Sequence, residues 1–203
     1  TLPAHVALGG EAMRFALRAD APMLLVARST APLIALVRQG EAEAPLVFPA
    51  GASLARYLAP GEAALDVVAP HDGPLSGALE LSARPVKPIG EGLGEPVALA
   101  PGSSALFGFE VRRQSEIGVG LRADPDRAAA RLLDAAGREI AVGANAIAKL
   151  SPGRYVLEAR APAEGDTLVV RPALVGVSPP PSGPPEDVAK EFLEMVGLKS
   201  GTK

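Results

Sequence analysis

The chain has no cysteine and no tryptophan, and its 203 residues include only two histidines, two tyrosines and five phenylalanines. Without cysteine there is no disulfide, no thiolate nucleophile and no cysteine-ligated zinc. The two histidines, His5 and His71, are too few and too isolated to build a zinc or copper site. A Ser–His–Asp triad would have to use one of them, and no G-x-S-x-G elbow accompanies either. His71 lies in Pro70-His71-Asp72-Gly73-Pro74, a turn sequence, and reads as a surface histidine. A net charge of −3 supplies no field to gather a polyanion, which argues against nucleic acid. No apolar run approaches the roughly 20 residues of a membrane helix, since Pro22–Ala27 and Pro32–Val37 are far shorter.

What the chain does have is apolar content (48%) for a core, with proline (21) and glycine (22) enough to cut it into short elements. Slid against itself, the sequence repeats. Leu58-Ala59-Pro60-Gly61 matches Leu150-Ser151-Pro152-Gly153, Phe15-Ala16-Leu17 matches Phe107-Gly108-Phe109, and Gly10 matches Gly102, all 92 residues apart. Three matches at one separation predict two tandem copies of a domain. Within them, Ala105–Val111, Ile117–Leu121, Arg154–Arg160 and Thr167–Arg171 alternate or are β-branched as strands do. So do Met13–Leu17, Met23–Ala27, Leu33–Val37, Ala63–Val68 and Ala78–Leu81 in the first copy. Asp126–Ala136 is rich in helix formers after Pro125. The strand reading, with arms Arg131–Asp134 and Glu139–Val142 turning at Gly137, is preferred over a short helix.

The Pro-Gly start, the F-x-F strand, Leu132-Leu133-Asp134-Ala135-Ala136-Gly137 and Leu150-Ser151-Pro152-Gly153-Arg154-Tyr155 together resemble the bacterial pre-peptidase C-terminal domain, over about Val97 to Val175. The resemblance implies a jelly-roll-like β-sandwich appended, as a non-catalytic module, to secreted enzymes and surface proteins. Copy one carries Glu62-Ala63 where the motif has tyrosine, and the chain has no protease domain for such a module to serve. The expected fold is therefore all-β: two tandem jelly-roll-like antiparallel β-sandwiches plus a C-terminal amphipathic helix. The copies occupy 1–88 and 96–177, the glycine-rich segment 89–95 is a flexible linker, 178–185 is a proline-rich spacer, and 186–198 is the helix. In that segment Val188, Phe192, Met195 and Val196 fall on one helical face, with Leu193 beside it, opposite Lys190, Glu191 and Glu194. The face either packs on its own sandwich or docks on another protein, and the stiff spacer favours the partner.

Other chemistry is thin. Asp124-Pro125-Asp126 with Asp134 offers too few oxygens for calcium. Gly90–Gly94 lacks the Lys-Ser/Thr of a phosphate loop. Tyr57 and Tyr155 are too few for a sugar platform, Tyr155 reading instead as a core or hydroxyl-anchored strand residue. Arg112, Arg113, Arg127 and Arg131 read as a solvated face. No catalytic residue, cofactor or metal is expected. The predicted function is a non-catalytic interaction or scaffolding module, an accessory subunit of a periplasmic or extracellular bacterial assembly, docking through Val188, Phe192, Leu193, Met195 and Val196. The alternatives are a hydrolase with an unrecognised site and a carbohydrate- or cell-surface-binding module. The chain begins at Thr1 rather than Met, as a processed or excised chain would, and either could have lost an export signal.

Overall fold

Short alternating segments punctuated by glycine and proline leave little room for anything but strands, and a computed structural model shows seventeen of them among the residues it describes, 2–39, 42–71 and 73–178. In chain order they are β1 (Ala4–Ala7), β2 (Ala12–Ala19), β3 (Met23–Ser29), β4 (Leu33–Gln39), β5 (Ala42–Phe48), β6 (Ser53–Leu58), β7 (Gly61–Val68), β8 (Ala78–Pro88), β9 (Gly92–Leu93), β10 (Val97–Leu99), β11 (Ser104–Val111), β12 (Ser115–Asp124), β13 (Ala129–Asp134), β14 (Glu139–Val142), β15 (Asn145–Leu150), β16 (Gly153–Arg160) and β17 (Leu168–Val175).

The N-terminal half packs β2-β7-β4-β5 against a layer containing β8, β3, β6 and β1. The C-terminal half packs β10-β17-β12-β15 against a layer of β14-β13-β16-β11. Each core is built from the alternate, inward residues of both layers. Leu25, Leu33, Leu65 and Leu81 fill the first, and Phe107, Ile117, Leu132 and Leu174 the second, all essentially excluded from water. The two strand orders are the same, and so is the register: Phe15 lies opposite Leu65, and Phe107 opposite Leu157.

The expected fold needs correction on two counts. The described residues form strands and turns with no helix, and the sheets are not wholly antiparallel. β8 and β11 run parallel, Val86 beside Leu106 and Pro88 beside Gly108, so one eight-stranded sheet passes through both halves. The helix expected over 186–198 lies outside the described residues, with most of the spacer before it. Its amphipathic pattern was an incomplete warrant, because about twelve residues are marginal as a helix without a surface to bury against.

The segment expected to be a flexible linker is tied down. β9 pairs with β17, and Gly94 N–H donates to the Pro172 carbonyl at 2.7 Å. The Glu91 carboxylate accepts from the N–H groups of Gly176 (2.6 Å), Val177 (2.8 Å) and Ser178 (2.9 Å), which hold it below the ordinary glutamate range. Within the segment 126–136, Ala129–Asp134 is a strand and 135–136 belong to the turn after it. Leu132 and Ala130 fill the core, Leu133 faces the opposite side, and Gly137 turns the hairpin at φ +73°. Helix propensity loses there to burial on both faces of a sheet.

Candidate functional site

Beyond its two sandwich cores the molecule has a third apolar cluster: Leu24 from β3, Val86 from β8, Leu106 from β11, Leu133 from β13 and Val156 from β16, with Ala55 and Tyr57 of β6 against it. These residues point away from the sandwich interiors, so the shared sheet bends until its two halves close on each other along a seam. The Tyr57 N–H donates to the Ala135 carbonyl at 2.8 Å, joining one end of the sheet to the hairpin at the other. Contact is close enough that a Cβ on Gly108 would meet Val86 at 2.6 Å, and one on Gly137 would meet Ala55 at 2.4 Å.

Two clefts flank this seam. The larger, about 420 Å³, has Leu24, Val26 and Leu133 on its walls and Arg84, Arg131 and Arg138 around it. Two of these arginines, Arg84 and Arg131, hold Glu158, which is only 2% exposed. Arg84 Nη1 pairs with Oε1 at 2.8 Å, and Arg131 Nε donates to Oε2. Arg84 Nη2 also donates to Ser104 Oγ at 2.6 Å. Burial pushes the Glu158 carboxyl up, but the two guanidinium groups outweigh it and hold the group below its ordinary range. Because Arg84 sits on β8 and Glu158 on β16, the ion pair spans β11 and clamps the halves together. The second cleft, about 290 Å³, lies beside Tyr57, whose ring carries the Arg154 guanidinium 5.7 Å from its centre. Burial raises the Tyr57 hydroxyl, with Glu110 adding to the shift and Arg154 opposing it.

The other notable surfaces are the outward sheet faces. On the β10-β17-β12-β15 layer, Ile147 (76% exposed), Gly118 and Val175 (62%) stand directly opposite one another across three strands. Leu93 of β9 lies beside Ala173 at the same face. On the β2-β7-β4-β5 layer, Asp66 sits between Arg14 (Nε to Oδ1, 2.5 Å) and Arg38 (Nε to Oδ2, 3.1 Å), which keep its carboxyl below the ordinary range. Val47, Val68, Ile34 and Leu36 share that face.

The residues singled out from sequence fare unevenly. Val188, Phe192, Leu193, Met195 and Val196 lie outside the described residues. His5 is exposed on β1 opposite Glu80, and His71 is exposed in the loop before β8; neither lines the seam clefts. Asp134 is not gathered with Asp124 and Asp126. Its Oδ1 accepts from the N–H groups of Ala136 (2.8 Å) and Arg138 (2.9 Å), so it caps the β13–β14 turn. Among the described residues no group of three or more His, Asp or Glu comes together as a metal set. Tyr155 is buried, stacks on Phe109 at 5.7 Å and donates its hydroxyl to the Ser151 carbonyl at 2.8 Å. Arg131, expected on a solvated face, is exposed and also pairs with Glu158. The missed residues were Glu158 and Arg84; an acid inside the apolar run Tyr155-Val156-Leu157-Glu158-Ala159 was the available signal.

No protein-family model matches the chain, and no curated protein matches it. Among solved structures it is similar to the pre-peptidase C-terminal domain of a collagenase from Bacillus anthracis, at 16% identity and TM-score 0.37, over 45% of this chain and 97% of that one. It is also similar to the CUB1-EGF-CUB2 region of human MASP-1/3, at 4% identity and TM-score 0.35, over 86% of this chain and all of that one. A third is the PBSX exported protein XepA, at 11% identity and TM-score 0.27, over 84% of each chain. Likeness of this size assigns the chain neither a family nor a function. Among the described residues no helix is long and apolar enough to cross a membrane.

Proposed function

We propose that the chain is a non-catalytic protein-contact module, a rigid spacer that presents flat sheet faces to other protein surfaces. The observation that carries this reading is the row Ile147–Gly118–Val175. Two large apolar side chains stand more than half exposed on either side of a glycine, on a face that nothing in the chain covers among the described residues. Apolar positions held out on a rigid sheet mark a contact surface when they adjoin one another. The apolar positions Val188, Phe192, Leu193, Met195 and Val196 enter only as sequence positions outside the described residues. The sequence resemblance adds an extracytoplasmic bacterial setting to the proposal.

The test exploits the absence of cysteine. A single Ile147→Cys chain labelled with a photo-crosslinker is compared, in cells of the source, with one labelled at Arg112→Cys in the β11–β12 turn. The reading expects a discrete protein adduct at position 147 and none at 112. Equal, diffuse labelling at both positions would overturn it.

A further inference from the structure

We infer that the exposed faces bind a second copy of this chain head to tail, repeating between molecules the contact the seam makes within one. The inference rests on the contact reading and names its partner.

The seam is a heterologous contact: the β8-β3-β6 layer of the N-terminal half meets the β11-β16-β13 layer of the C-terminal half. Strand order and register match between halves, so each seam layer has a counterpart that faces solvent. Leu24 opposite Tyr57 corresponds to Glu116 opposite Lys149, and Val26 opposite Ala55 to Gly118 opposite Ile147. On the other side, Glu110 opposite Arg154 corresponds to Arg18 opposite Glu62, and Leu106 opposite Glu158 to Arg14 opposite Asp66. Heterologous contacts of this kind leave one unmatched face at each end of the pair, and nothing in the symmetry closes the set.

The residues at those faces are complementary. At the seam Arg154 lies over Tyr57; the corresponding positions are Glu62 and Lys149, opposite charges. Leu24 and Leu106 share the seam cluster; the corresponding positions are Glu116 and Arg14, again opposite charges. One seam contact and one pair of seam-cluster residues thus correspond to two oppositely charged pairs when the β10-β17-β12-β15 face of one molecule meets the β2-β7-β4-β5 face of the next. Arg14 is shared with its own Asp66. Glu62, Lys149, Glu116 and Arg14 are all exposed. Ile147, the counterpart of seam residue Ala55, supplies apolar area to the same contact.

One part of the seam does not carry over. The parallel pairing uses Val86–Pro88, and the corresponding sequence positions are Pro179–Pro181, which have no N–H to donate. The contact between molecules is a face-to-face one without a shared strand pair, and so is weak, reversible and sensitive to salt.

Sedimentation velocity on the full chain over a wide concentration range tests this, with Lys149→Glu and Glu62→Lys as exposed substitutions whose folding is checked by circular dichroism. The wild type is expected to grow in mass with concentration past the dimer and to shrink again on adding salt. Each reversal alone should raise the apparent dissociation constant about tenfold or more, an equimolar mixture of the two should restore association, and Arg112→Glu should change nothing. A wild type that stays monomeric, growth that stops at a dimer, or a mixture that fails to restore association would overturn the inference. Adducts at position 147 with other proteins alone would also overturn it, while leaving the contact reading standing.

Discussion

Glu158 is a carboxylate enclosed by apolar neighbours, so its charge survives only because Arg131 supplies a hydrogen bond and Arg84 a close ion pair in place of water. Since its folded pKa lies below the unfolded one, the group stabilises the fold above the ordinary glutamate range. That contribution is lost as pH falls through the folded value. Glu158→Gln removes the charge and leaves two half-exposed guanidinium groups facing an amide. The expected cost at neutral pH is about 1–2 kcal/mol. The gap from wild type should narrow as pH falls below about 4. Urea unfolding at both pH values measures it; a gap that stays constant with pH would show that the charge of Glu158 is not what stabilises.

The β13–β14 hairpin shows how a turn can serve two elements at once. Gly137 takes φ +73°, and its missing Cβ leaves room for Ala55 of β6, 2.4 Å from where that atom would sit. Gly137→Ala is expected to cost about 2–4 kcal/mol, combining backbone strain with overpacking. Adding Ala55→Gly should return only the packing part, so the double variant lies between wild type and the single one. Strictly additive denaturation midpoints would mean that the two residues do not touch. The element scale is also where sequence reading reached furthest. Segments such as Ala105–Val111 and Leu33–Val37 declare themselves, because inward positions are large and outward ones small or polar. β5 and β6 were missed: Ala42-Glu43-Ala44-Pro45 and Ser53-Leu54-Ala55-Arg56 carry too little apolar contrast to read as strands. The last strand runs through Pro172, where a proline looked like its end; the Pro172 carbonyl accepts from Gly94 instead.

At the scale of the whole molecule, the sequence offered a constant spacing of 92 residues, at which Phe15–Leu65 and Phe107–Leu157 pair alike, but not the way the halves join. The seam is made of outward-facing residues such as Leu24, Leu106 and Val156. On a single sequence each reads as one more apolar strand position, and only a bent, continuous sheet brings them together. Glycine in Gly90–Gly94 suggested freedom between the halves, yet Glu91 and β9 bind that segment to β17. The halves are bonded to each other through β8–β11 and Glu91, and a fixed relation between the faces is what the contact reading requires. Native-state amide hydrogen exchange along the β8–β11 junction tests it most directly. The account predicts that the N–H group of Ile89, which donates to the Gly108 carbonyl across the junction, exchanges with the same opening free energy as those of β3 and β16 in the flanking cores. Exchange at the junction with a much lower opening free energy than in both cores would show two bodies hinged at β8–β11, and the welded seam would be wrong.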